Sequence, residues 1–372
     1  GVSKLLIVGL PFFPHKYQYL VDSYLDIGID VRVLLNSDFD SEYKENSEKF
    51  ITYAGKSKLK RMVNYISIVS RFKPKNIDCY DYSILSIFYI FVAKLLGIRT
   101  RYWLIGWELV GDYQNTNQSI LFNNAIVFFK KHLSRLCLYL SDVVYAKEHH
   151  HIKSIESINR KLLRKTILIY NCVPVEKHNP RFLERLSNKR DFLYANAVIA
   201  KRNVIDLLKD FEQLKEKGIN FTSSIYGFNS IENNAYSKRG EHYSRKALEY
   251  YYKAHLEDMV DVHGFVRNIK EVMVKYKFFL LPADIVLANY ALLEAMSIGL
   301  VPIVYPGDGY EEIVQDGVNG IVAKNRDMLT ALERALKLSD DEYTMFSNNA
   351  HKTIRNKFSI ELWKEKLAKN IK

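Results

Sequence analysis

The sequence predicts an α/β protein built from two doubly wound, Rossmann-like domains facing a central cleft. Three observations carry that reading. Short runs rich in Val, Ile and Leu alternate with amphipathic stretches along the whole chain, the mark of βαβ units and parallel sheets. The alternation lapses once, in the charged stretch 176–190, and then restarts. At 372 residues the chain also exceeds what a single core usually organises.

The elements follow in order. "KLLIVGLPFFPHKYQYLVDSYLDIGIDVRVLL" gives a buried strand at 4–9, a Pro-bounded loop, a helix at about 15–27, Gly28 and a second strand at 30–35. "DYSILSI" (81–87) and "RTRYWLIG" (99–106) read as further strands with a helix between them. "DVVYA" follows a long helical stretch at 119–140, and "KTILIY" completes a set of five or six strands. The first domain is therefore expected over 1–175, with 176–190 as the linker. The second, expected over 191–355, offers strands "DFLYANAV", "FTSSIYG", "MVDVHGF", "FFLLPA", "VPIVY" and a short "GIVA". Between them lie helices such as "RNVIDLLKDFEQLKEKG", "ALLEAMSIG" and "YEEIVQDG", and a polar insertion at 228–244. A helix pair fills 326–371, and its last part, 356–372, is expected to pack back on the first domain.

Composition narrows the function classes. A 48% hydrophobic and 26% charged chain is an ordinary globular profile, which sets disorder aside. Lys and Arg outnumber Asp and Glu 54 to 42, so the net charge of +12 points to an acidic partner: nucleotide phosphates, an anionic membrane face or nucleic acid. Cys79, Cys137 and Cys172 lie far apart with no CxxC spacing, which suggests neither a disulfide framework nor zinc and fits a reducing cytoplasm. "YSILSIFYIFVAKLLGI" is broken by Lys94 and Gly97, so it does not read as a membrane span, and "KLLIVGL" is too short for a signal peptide. "KSKLKRMVNYISIVSRFKPK" (56–75) mixes basic and apolar residues at helical spacing. Such a helix can lie on an anionic membrane, contact a nucleic-acid backbone, or be a domain helix with a solvated face. The expected location is thus the cytoplasm, with a peripheral seat on the inner face of the membrane. The run His149, His150 and His151 has no HExxH or carboxylate spacing, and no metal site is expected from it.

Two constellations carry chemistry. Glu294 sits one turn inside a helix that follows a strand and a loop. Free N–H groups at such a helix start favour an anion, while the carboxylate can accept hydrogen bonds from a polyol such as ribose. Lys201 and Arg202 stand at the start of the second domain's first helix, where the dipole disfavours cations unless something negative, such as a pyrophosphate, joins them. Each also has a plainer reading, as a carboxylate complementing the helix dipole and as a solvated basic pair.

The residues also carry a family resemblance. "LLEAMSIGLVPIV" and "DGYEEIVQDGVNGIV" resemble the donor-binding signature of retaining, nucleotide-sugar-dependent glycosyltransferases with the GT-B fold, the group 1, family 4-like type that includes sucrose synthases and many lipopolysaccharide and capsule transferases. In order, "YNCVP" (170–174) is similar to the family's interdomain segment, "KRN" (201–203) to its lysine motif, "IYGF" to its central strand and "VHGFV" (262–266) to a strand and loop beside the base. The likeness spans about 160–325, whereas the first half shares only the βαβ rhythm.

The resemblance implies that Glu294 binds the donor ribose, Lys201 with Arg202 the pyrophosphate, and Asn289, Tyr290 and Ala291 the phosphates and sugar. Gly264, Phe265 and Val266 would border the base. Glu312 matches a family glutamate to which no role is given. Two positions depart from the pattern: the first family glutamate falls on Val286, and the usual arginine falls on Asn196. Asp284 is close enough in sequence to stand in for the missing glutamate as a catalytic carboxylate. Glu108, in "YWLIGWELVGDY", lies where the family often places a residue contacting the sugar or acceptor. The resemblance implies no cofactor beyond a nucleotide-sugar co-substrate, UDP- or GDP-linked, and a lipid-linked or polysaccharide acceptor in bacterial surface glycan synthesis. A phage-type transferase acting on modified DNA and a non-catalytic binding module of the same fold are the alternatives, with nucleic acid the weaker partner.

Overall fold

The computed structural model describes residues 3–10, 15–36, 50–81, 83–106, 109, 120–180, 186–229, 231, 240–266 and 268–371. The chain divides into two compact units, one of Gly1–Tyr170 with Trp363–Lys372 and one of Asn171–Leu362.

The first unit holds seven parallel strands: β1 (Lys4–Val8), β2 (Asp30–Leu35), β3 (Ile51–Tyr53), β4 (Asn76–Cys79), β5 (Arg99–Trp103), β6 (Val143–Ala146) and β7 (Thr166–Leu168). They are ordered β3-β2-β1-β4-β5-β6-β7, so the winding reverses between β1 and β4. Right-handed crossovers then place α1 (His15–Asp26) on one face of the sheet. On the other face lie α2 (Lys58–Phe72), α3 (Ile84–Leu95), α4 (Ile120–Leu140) and α5 (His149–Asn159). The alternation of strand side chains agrees: Leu6, Val8, Ile77, Cys79, Tyr102 and Val144 pack with α2, α3 and α4 in one apolar core.

The opposite face of that sheet buries charge. Asp78 and Arg101 are register partners on β4 and β5, and both side chains are fully buried as an ion pair. Tyr24 of α1 donates to Asp78 Oδ2 at 2.7 Å and accepts from Arg101 Nη2 at 2.8 Å. Burial alone would lower the Arg101 guanidinium, but Asp78 beside it holds it above its ordinary value. Trp103 stacks between Tyr80 and Tyr145, at centroid distances of 5.3 and 4.1 Å, and Trp363 packs edge-on against Tyr24.

The second unit holds β8 (Arg190–Ala195), β9 (Ser223–Tyr226), β10 (Val260–His263), β11 (Tyr276–Leu281), β12 (Val301–Val304) and β13 (Ile321–Val322). All are parallel, in the order β10-β9-β8-β11-β12-β13. Its helices are α6 (Val204–Glu216), α7 (Glu241–Lys253), α8 (Ile269–Met273), α9 (Tyr290–Ser297), α10 (Met328–Leu336) and α11 (Asp340–Lys357). The final helix, α12 (Ile360–Asn370), starts where this unit ends. One apolar core joins Phe192, Phe211, Phe221 and Phe278.

Four expectations need correction. "DYSILSI" is not a strand: β4 lies just upstream, and Ser83 caps α3 by accepting from Leu85 N at 3.2 Å. The buried polar Asn76 and Asp78 disguise β4, and the burial of Asp78 is compensated by hydrogen bonds and ion pairing that no periodicity reveals. The first sheet has seven strands rather than five or six, since the three-residue β3 escapes any pattern search. The stretch 326–371 holds three helices, because Ser339 and Glu342 form a capping box that starts α11 afresh. "YEEIVQDG" makes only a 3-10 turn at Tyr310–Glu312, and the chain then bends at Gly317, whose φ is +77°.

Candidate functional site

In doubly wound sheets, ligands bind beyond the carboxyl ends of the strands where the winding reverses. In the second unit that point lies between β8 and β11. The loops leaving these strands carry most of the candidate residues. They are bonded to each other, Asp284 N donating to Lys201 O at 3.0 Å.

After β8 the chain runs through Asn196 to a 3-10 turn at Ala200–Arg202. Asn203 then takes a left-handed conformation, φ 50°, a place that suits Asn better than most residues, and α6 begins. Its amide donates to Pro282 O and to Asp284 Oδ1, each at 2.9 Å, tying the two loops together a second time. The close packing of backbones here demands glycine next door. A Cβ on Gly227, whose φ is +117°, would lie 1.9 Å from Asn196 O.

Asn289 is the N-cap of α9, its Oδ1 accepting from Leu292 N at 3.2 Å. The same oxygen accepts from Asn196 Nδ2 at 3.2 Å. The residue in the family's arginine position thus braces the start of the helix that carries Glu294. Glu294 is only 7% exposed, one turn inside α9, with Tyr290 and Ala291 in the helix's first turn. An anion placed here would meet the positive end of α9 with Lys201 and Arg202 near the paired loop.

Asp284 is half-exposed, and one of its oxygens, Oδ1, accepts from both Asn203 and Arg326, the latter an ion pair at 2.5 Å. Arg326 is held above its ordinary value first by that hydrogen bond to Asp284, and its guanidinium lies 4.6 Å from the Tyr305 ring centre. Asn203 closes the "KRN" motif and Arg326 lies outside any motif, and the link of each to Asp284 arises only through the fold. Val286 is 1% exposed. Its N–H and that of Leu287 both donate to Asp308 O at 3.0 Å, and Leu287 is turned into the left-handed region, φ 44°. In this loop shape a glutamate at 286 would bury an unpaired carboxylate.

At β10, Gly264 follows the strand and its carbonyl accepts from Gly227 N at 3.0 Å. Phe265 beside it is 42% exposed, and Val266 is half-buried. β10 lies two strands from β8, which at ordinary strand spacing is about 10 Å.

Asn319 shows what the glycine-rich tail of the signature does. It is 5% exposed; its Oδ1 accepts from Gln315 N at 2.7 Å, and its amide donates to Ile313 O and Thr353 Oγ1, each at 2.9 Å. "EEIVQDGVNG" is therefore a fastened turn. Glu312 lies in its 3-10 segment and is half-exposed by residue.

In the first unit, Glu108 lies outside the described residues. Within the histidine run, His149 is exposed and His151 is held in the interior. His151 is fully buried, and its Nδ1 accepts from Lys147 N at 3.2 Å, so its Nε2 carries the proton it shares with Gly106 O at 2.6 Å. Among the described residues no group of three His, Cys, Asp or Glu could hold a metal ion, and no helix is long and apolar enough to cross a membrane.

Comparison with known proteins bears on the family and the fold. Residues 176–356 match the family described as "Glycosyl transferases group 1". No curated protein matches the sequence. Among solved structures, the chain is similar to HepE of Anabaena in complex with UDP-glucose, at 13% identity over 99% of both chains and a TM-score of 0.73. It is similar to a glycosyltransferase of Rickettsia africae, at 15% identity over 100% of this chain and 99% of that one, TM-score 0.75. It is also similar to the lipopolysaccharide outer core galactosyltransferase WaaB, at 16% identity over 98% and 99%, TM-score 0.68. At such identities the likeness establishes a shared GT-B fold. Residues 176–356 form a glycosyl transferases group 1 domain, and the chain is a glycosyltransferase.

Proposed function

We propose that this chain transfers a sugar, with retention, from a nucleoside diphosphate sugar to a hydroxyl of a lipid-linked or polysaccharide acceptor in bacterial surface glycan synthesis. One observation carries the reading: the loops after β8 and β11 and the start of α9 are bonded together at the winding reversal, with Lys201, Arg202 and Glu294 on them. In this reading Glu294 accepts from the ribose hydroxyls, and the α9 amides with Lys201 and Arg202 take the diphosphate. Phe265 borders the base. Asp284 is the carboxylate assigned to the sugar. Catalysis then rests on positioning and on stabilising the leaving diphosphate, with the acceptor attacking the same face of an oxocarbenium-like centre. The UDP-glucose complex of HepE and the galactosyltransferase assignment of WaaB support a UDP-linked hexose donor, with GDP-linked sugars the other class.

The test is nucleotide release from a panel of UDP- and GDP-sugars. Glu294→Ala and Lys201→Ala each lower turnover by about 100-fold or more. Undiminished release in both variants would refute the assignment.

A further inference from the structure

We infer that the outer surface of α2, α3 and α4 is a docking face for an anionic lipid surface. Each helix turns one stripe to the core and a second apolar stripe outward. On α2, Tyr65 and Val69 are buried, while Leu59, Val63 and Ile66 recur at i, i+4 and i+7 and stand 70%, 57% and 51% exposed. On α3, Phe91 and Leu95 are exposed, and on α4 Phe129 is. The three helices touch in sequence: Tyr65 OH donates to Tyr89 O at 2.7 Å, and Ser86 Oγ lies 3.1 Å from Cys137 Sγ. Among the described residues, eleven of the seventeen exposed large apolar side chains lie on these helices or the Leu96 cap, so the exposure is one patch rather than scatter.

Charge selects the occupant. The three helices carry eight Lys or Arg and no Asp or Glu, although the chain has 42 acidic residues. By contrast, α6 alone carries Asp206, Asp210, Glu212 and Glu216. Lys94 pairs with Asp142 just beyond α4, and the remaining cations leave an apolar face with a net positive flank that complements acidic lipid headgroups over an acyl layer. Pairing this face with a second copy would set like charges against each other. The inference stands on the first unit alone and does not depend on the donor assigned to the second.

Flotation of the full chain with vesicles of phosphatidylcholine, or of phosphatidylcholine with about one-third phosphatidylglycerol, tests it. The chain is expected to float with the anionic vesicles, to release them as salt rises, and to ignore the neutral ones. Lys58→Glu with Lys60→Glu, both exposed, is expected to weaken binding roughly 25-fold, at about five-fold per lysine. A tryptophan introduced by Leu95→Trp is quenched by brominated lipid, while one introduced by Met345→Trp, exposed on the other unit, is not. Equal binding to both vesicles, no vesicle binding, or patch variants that change only self-association or DNA binding would overturn the inference.

Discussion

Each unit contains an ion pair that bridges strands, and the two pairs differ in burial and therefore in what they contribute to stability. Asp78 and Arg101 in the first unit join adjacent strands with no solvent contact, and Tyr24 meets both. Arg190 and Asp261 in the second join β8 to β10 at the sheet margin, 36% and 47% exposed, with Ser224 of β9 between them. Breaking a sealed pair strands a charge without solvent, whereas a charge at the sheet margin stays hydrated when its partner is removed. The second unit fills its sheet face with Phe192, Phe211 and Phe278 and carries Lys201, Arg202, Asp284 and Glu294 in the loops and helix beyond the strand ends.

The largest effect expected from this contrast is on stability. Asp78→Ala should destabilise the fold by about 3–5 kcal/mol, because it leaves the Arg101 guanidinium buried without a counter-charge. Asp261→Ala, at the exposed pair, should cost about 1 kcal/mol or less. Urea unfolding curves of the two variants measure the difference, and equal losses would erase the distinction.

A smaller effect concerns pH and sharpens the same point. Asp210 on α6 is pushed up to about 7, first by burial and then by the like charges of Asp206 and Asp327. The folded chain therefore keeps a proton that the unfolded chain releases near pH 4, and stability falls as pH rises from about 4 to about 7. Discounted for solvent screening at this partly exposed site, the loss is about 1–2 kcal/mol. Asp210→Asn should flatten that slope and raise the melting temperature at pH 8. An unchanged pH profile in the variant would remove Asp210 as its source.

The second unit was the more legible in the sequence, for physical reasons. Its strands β11 and β12 end in or consist of apolar runs, and Asn289 and Glu294 are of types that suit the start of the helix they cap and occupy. In the first unit, β4 was hidden by the very ion pair that Asp78 makes, and β3 was too short to show a period. Even in the legible half, long-range bonds stayed invisible. Asp284 looked like a free carboxylate in its segment, but Asn203 and Arg326, 81 and 42 residues away, hold it. The tail "DGVNG" reads as part of a binding signature, and the sequence does not show that Asn319 fastens the turn by side-chain bonds to Gln315, Ile313 and Thr353.

Calorimetric titration of UDP and GDP and their sugars against the parent chain and Glu294→Gln tests the central claim most directly. Glutamine keeps the shape of the 7%-exposed side chain and removes its charge. One nucleotide class should bind the parent, and the variant should bind it about tenfold or more weakly, the loss of one charge-assisted hydrogen bond. Equal affinity in parent and variant, or no binding of any nucleotide to the parent, would contradict the placement of the donor at the start of α9.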